Sequence, residues 1–106
     1  MDALGRDGRF RGLQKLFLQE TMVALSFWTT RLERSAELSK HEFESLFSII
    51  HNLKGSGGGY GFRPLTDMAA RIEAAMVSGI SRADLTKLMT ELLWLHRRLC
   101  DDFANR

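Results

Sequence analysis

The stretch from Phe43 to Phe62 leaves few folds open to this chain. Phe43, Leu46, Phe47, Ile50 and Leu53 recur at spacings of three and four, the interval that lines side chains along one face of an α-helix. The run ends in Gly57-Gly58-Gly59-Tyr60-Gly61, the strongest breaker in the sequence. A helix from about residue 40 to about Ser56 is therefore predicted, then a tight interhelical turn whose glycines allow positive φ and close backbone approach. The helix start is marked as well. Ser39-Lys40-His41-Glu42 has the form of a capping box, with Leu38 and Phe43 placed as a hydrophobic staple. His41 then falls in the first turn and reads as a surface residue.

Three further helices follow from the same kind of pattern. Leu13, Leu16, Phe17, Val23, Ala24, Phe27 and either Trp28 or Leu32 predict a first helix over 13–37. Leu18, Leu25 and Trp28 lie off that stripe, and either widen the buried face or form an exposed patch for an extra helix or a partner. Pro64 suits the first turn of a third helix, with Leu65, Met68, Ala69, Ile72, Ala75 or Met76, and Ile80 as its apolar face and Gly79 as its end. Its alanines at 69, 70, 74 and 75 suit close approach to the helix that carries His51. Ser81 is the expected cap of a last helix, with Asp84 at its N3 position. Leu85, Leu88, Met89, Leu92, Leu95 or His96, Leu99 and Phe103 continue that helix, and His96 reads as a boundary residue of its stripe. Residues 1–12 hold three glycines and read as an irregular arm or a short helix, with Leu4 or Phe10 as plugs for the bundle end. The expectation is all-α: an antiparallel up-down-up-down four-helix bundle over 13–106, with room for a short extra N-terminal helix.

Composition narrows the function classes. With 106 residues, 44% hydrophobic and 26% charged, the chain suits one globular domain. A formal charge of +2, with eleven arginines interspersed with acids, does not argue for nucleic acid. No apolar run reaches the roughly 18 residues of a membrane span, and the N-terminal residues lack the apolar core of a secretory signal. The cytoplasm is the expected compartment, and a monomer the expected state. The single Cys100 has no disulfide mate and reads as a small apolar residue.

Within the second helix, His51 falls about 120° from the centre of the apolar face, on its open side. Lys54 and Gly55 lie one turn on. A glycine inside a helix costs roughly 0.5–1 kcal/mol relative to alanine, and here it leaves the approach to the imidazole clear. Lys54 supplies a compact cation suited to a phosphoryl group. Other chemistries fit less well. The lysine precedes the glycines and no Gly-x-x-x-x-Gly-Lys-[Ser/Thr] is present, against a nucleotide loop. The histidines do not repeat at ligand spacing beside carboxylates, against a metal site. No nucleophile or oxyanion site accompanies His51, against a hydrolase.

The pattern His51-x-x-Lys54-Gly55-Ser56, then Gly61, Leu65 and Ile72-Glu73, resembles the histidine-containing phosphotransfer (HPt) domain of multistep phosphorelays. It is also similar to the first domain of chemotaxis-type histidine kinases, where a pair like Gly61-Phe62 closes the glycine-rich segment. The resemblance implies that His51, and not His41 or His96, is phosphorylated, by an aspartyl phosphate of a receiver domain or by a kinase's ATP-binding domain. It implies attack through Nε2, with Mg²⁺ supplied by the receiver and no cofactor bound by this chain, which would be a phosphoryl carrier without catalytic machinery of its own. Lys54 would give electrostatic support and Gly55 steric clearance. A polar residue near the inner ring nitrogen would fix the tautomer, and Glu44, Ser48 and Asn52 are all within helical reach. The expected docking surface comprises Glu44, Phe47, Ser48, Asn52, Ser56, Tyr60 and Arg63, though Phe47 and Tyr60 read equally well as packing residues. The partners would be response-regulator receivers or a histidine kinase, with the chain either free-standing or the first domain of a kinase. The alternative function is a helical docking domain that binds such partners without carrying phosphate.

Overall fold

The computed structural model describes residues 2–34 and 37–106, with side chains from Gly8 onward. Four helices follow one another: α1 (Asp2–Glu33), α2 (Lys40–Gly59), α3 (Arg63–Val77) and α4 (Arg82–Ala104). Pairing of α2 with α3, α1 with α4, and α3 with α4 builds the antiparallel four-helix bundle.

The caps form where the sequence places them. Ser39 accepts from the Glu42 amide at 3.0 Å while Glu42 accepts from the Ser39 amide at 2.8 Å, a complete capping box. Arg31 from the end of α1 clamps the same Glu42 carboxylate at 2.7 and 2.9 Å. That hydrogen bond first, then the Ser39 amide, brings the Glu42 carboxyl down to about 2. Ser81 caps α4 by accepting from the Asp84 amide at 3.1 Å.

Three boundaries and faces differ from expectation. The N-terminal segment is helical but continuous with α1, neither an arm nor a separate helix. Phe10 lies near Tyr60 with ring centroids 6.5 Å apart, and Leu4 lies outside the described side chains. Next, α2 does not stop at Ser56; it runs through Gly59. Only Gly61, at φ +88°, enters the left-handed region there. The Gly61 amide donates to Gly58 O and the Phe62 amide to Gly57 O, a Schellman ending that needs glycine at that one position. Gly79, at φ +86°, ends α3 in the same way, with Ile80 N–H donating to Ala75 O.

The third difference is the face of α1. Phe17, Leu18, Leu25, Trp28 and Leu32 are buried, whereas Leu13, Leu16, Val23 and Phe27 are exposed. Leu18, Leu25 and Trp28, read as off-stripe, all reach the core, where they join Phe17 and Leu32 from the predicted stripe. Elsewhere the expected stripes hold: Leu46, Ile50 and Leu53 on α2, Leu65, Met68, Ala69, Ile72 and Met76 on α3, and Leu85, Met89, Leu92 and Phe103 on α4 are buried together.

His96 is a correction. It is fully buried among these residues instead of lying at a stripe boundary. Its Nε2 lies 2.5 Å from Thr21 Oγ1, and its Nδ1 3.5 Å from Cys100 Sγ. The Thr21 hydroxyl donates its one proton to the Phe17 carbonyl at 2.8 Å, so it accepts from Nε2–H, leaving Nδ1 to accept from the thiol. Burial lowers the His96 pKa to about 4 and raises that of the Cys100 thiol, so both stay neutral near pH 7. Among the described residues no helix is long and apolar enough to cross a membrane.

Candidate functional site

The close approach of α2 and α3 sets up the site. Gly57 is buried against α3, and a Cβ added there would stand 2.8 Å from Thr66 Oγ1 and 2.9 Å from the Thr66 backbone nitrogen. Ala69 is also fully buried, so small residues on both helices bring the backbones together. Thr66 fastens this contact. Its hydroxyl accepts from the Gly58 amide at 2.7 Å and donates to the Lys54 carbonyl at 2.9 Å, a donor and an acceptor four residues apart on the α2 ladder.

Two turns further along α3, the interhelical distance suits a glutamate. Ile72 points into the core, and its neighbour Glu73 emerges beside α2. Glu73 Oε2 lies 2.5 Å from His51 Nδ1, and Oε1 accepts from Lys54 Nζ at 2.5 Å. The carboxylate is the acceptor, so Nδ1 carries the proton, and Nε2 is left with its lone pair. Among the described residues Nε2 has no protein partner. The His51 side chain is 59% exposed, while that of Glu73 is 16% exposed: the carboxylate is sheltered and the ring is open. The Glu73 carboxyl is held below its ordinary range by its hydrogen bond from Lys54 first and from His51 second.

Glu73 is therefore the partner of the inner ring nitrogen, whereas Glu44, Ser48 and Asn52 make no hydrogen bond to His51. Lys54 touches Glu73 and through it shares a network with His51. Gly55 is exposed, and a Cβ there would meet nothing within 4 Å. This chain's packing thus places no demand on that glycine, in contrast to Gly57.

The expected docking residues separate into groups. Phe47 lies alongside the His51 ring, centroids 6.5 Å apart and planes 11° apart. With Phe43, Glu44, Ser48, Met76 and Val77 it lines a groove of about 530 Å³ between α2 and α3. Asn52 and Ser56 line a different groove, towards α1, with Phe17 and Glu20. Tyr60 is a packing residue, stacked on Phe17 at 4.6 Å, with its carbonyl accepting from Gln14 at 2.8 Å. Arg63 is exposed and pairs with Asp67 on its own helix at 3.1 Å. No group of three or more histidine, cysteine or acidic side chains is placed to hold a metal ion among the described residues.

No curated protein and no solved structure matches the chain. The family model for the Hpt domain does match, over residues 13–102. That span takes in most of every helix and both sides of the His51–Glu73 contact, and on it the chain belongs to the Hpt domain family, with the general role in phosphorelays that membership carries.

Proposed function

We propose that this chain accepts a phosphoryl group on His51 Nε2 and passes it on, between receiver domains or between a histidine kinase and a receiver. The observation that carries this reading is the ring itself, open to solvent at Nε2 and held at Nδ1 by a sheltered carboxylate. In transfer from a receiver, the Nε2 lone pair forms the N–P bond. The aspartyl O–P bond breaks, and its electron pair returns to the receiver's carboxylate. The ring, phosphorylated at Nε2 and still protonated at Nδ1, then carries a positive charge, which Glu73 offsets from 2.5 Å away. Mg²⁺ held by the receiver would neutralise the equatorial oxygens, so the chain's own part is to present and orient the ring.

Lys54 keeps Glu73 in place and adds a cation at the edge of the site. Gly55 leaves its position on α2, one turn from His51, free of side chain, so the partner's phosphorylated loop can approach there. The groove beside Phe47 is the docking surface this reading favours. It adjoins the ring, it is lined by half-buried Phe43 and Phe47, buried Met76 and exposed Val77, and Glu44 and Ser48 are exposed beside them.

The test is label transfer from phosphorylated receiver domains, or from a kinase with labelled ATP, to wild type and to His51→Gln. Acid-labile, alkali-stable label is expected on the wild type alone. Equal labelling of both would remove the assignment. Tight receiver binding with no transfer would leave a docking role in its place.

A further inference from the structure

We propose that two copies of this chain pack against each other, antiparallel, through the outer face of α1. That helix is apolar on two separate sides. Leu25, Trp28 and Leu32 face the core, while Leu13, Leu16, Val23 and Phe27 are 51%, 50%, 71% and 60% exposed. At about 100° per residue the exposed set centres roughly 140° from the buried one. Arg9, Leu13, Leu16, Glu20, Val23 and Phe27 follow one another at alternating steps of four and three, the a/d repeat of a helix seam. A helix that meets only water on its outer side carries polar groups there. A heptad stripe of large apolar side chains fits a second helix laid along it.

The two charged members of the stripe select the occupant and its direction. Packing two copies in parallel register, or antiparallel about the middle of the Leu13–Phe27 segment, sets Glu20 against its own symmetry mate, and antiparallel about the middle of the whole Arg9–Phe27 stripe sets Glu20 against Leu16 and Arg9 against Phe27, so in each case a charge is desolvated without an opposite partner. An antiparallel arrangement centred midway between Leu13 and Leu16 removes that conflict. Leu13 then lies opposite the partner's Leu16, and Glu20 opposite the partner's Arg9. The two-fold axis repeats both contacts. Arg9 and Glu20 form no ion pair within the chain among the described residues, so both are available for this exchange. Val23 and Phe27 continue the stripe alongside the first turns of the partner's α1. His51 and Glu73 meet on the α2–α3 side, whereas Glu20 lines the α1–α2 groove with Asn52 and Ser56, so a dimer built on α1 leaves the groove beside Phe47 open to receivers. The proposal departs from the monomer expected from the sequence, and it starts from which side of α1 the bundle buries.

Sedimentation equilibrium of the full chain at about 100 μM, enough to populate a modest interface, is expected to return twice the mass of 12.1 kDa. Leu16→Glu is expected to return the monomer mass with an unchanged circular dichroism spectrum and, at a dilution where the wild type is also monomeric, an unchanged thermal midpoint, since that side chain is half exposed in the single chain. Arg9→Glu and Glu20→Arg are each expected to weaken the dimer about three- to tenfold. An equimolar mixture should recover wild-type affinity, because both pairs form between opposite charges, one as in the wild type and one with its signs exchanged. A monomer for the wild type, a dimer that survives Leu16→Glu, or a mixture no tighter than either charge variant alone would each overturn the proposal.

Discussion

His51 and His96 are both helical histidines in one small bundle, and their surroundings give them opposite properties. His51 sits where α2 and α3 leave a flank open, with a carboxylate on one ring nitrogen and water within reach of the other. His96 sits where α4 meets α1, sealed, with a hydroxyl and a thiol as its neighbours. A carboxylate can stabilise a ring that becomes positively charged; a threonine hydroxyl and a thiol cannot. The same side chain is suited to chemistry in one place and to packing in the other, and the partner together with access to water decides which.

Acid should separate the two most strongly. His96 titrates at about 4 in the fold against 6.5 for the ordinary group. Between those values the unfolded chain binds a proton that the folded chain does not. Stability is therefore complete above about pH 6.5 and falls as the pH drops through that window, by up to about 3 kcal/mol. Denaturant unfolding of wild type and His96→Gln between pH 7 and pH 4 measures this. The wild type is expected to lose more stability over that range than the variant, which has no imidazole to protonate at that position. Equal slopes would mean that the His96 pocket opens to water far more readily than its burial implies.

At His51 the comparison is sharpened through Glu73. Glu73→Ala removes both the acceptor for Nδ1–H and the compensating charge, and transfer is expected to slow on the order of a hundredfold. Glu73→Gln keeps an acceptor and loses only the charge, and a smaller loss, about tenfold, is expected. Labelling rates from one phosphorylated receiver, with receiver affinity measured separately, distinguish slower chemistry from weaker docking. If the two variants behave alike, orientation contributes nothing beyond charge.

The legible and the illegible parts of this molecule divide along the range of the interactions. Ser39 with Glu42 and Ser81 with Asp84 are contacts three residues apart, so both caps could be read from the chain directly. The open position of His51 follows from the angle between it and Leu46, Ile50 and Leu53 on one helix. The Glu73 partner lies 22 residues away on another helix. Its presence in the motif pattern was visible, but its reach to Nδ1 depends on how closely α3 approaches. The buried side of α1 was illegible for a different reason: apolar residues occur on both sides, and periodicity carries no information about which side meets the other helices. His96 suffered likewise, since its partner Thr21 belongs to that same helix. The glycine run misled about the end of α2 because low helix propensity was outweighed by the Thr66 hydroxyl and by packing against α3.

The smallest effects come from two glycines in α2 separated by one residue, and they carry opposite signs. Alanine at Gly57 would put its Cβ within 3 Å of the Thr66 backbone nitrogen, which cannot swing aside as a side-chain end does. The helices must separate, at about 1–2 kcal/mol, or about 4–16 °C in thermal midpoint for a domain of this size. Alanine at Gly55 meets nothing within 4 Å and gains the helix propensity glycine lacks, so stability should rise by about 0.5–1 kcal/mol. Separating the α2–α3 pair also moves Glu73 relative to His51, so Gly57→Ala should slow transfer while it destabilises. Gly55→Ala leaves that contact in place, and any slowing it causes reports on the partner's approach. A bulkier Gly55→Leu that is more stable than wild type yet fails to accept label would place the role of Gly55 in clearance for the partner. If Gly55→Leu accepts label at the wild-type rate, the open turn beside His51 has no part in docking.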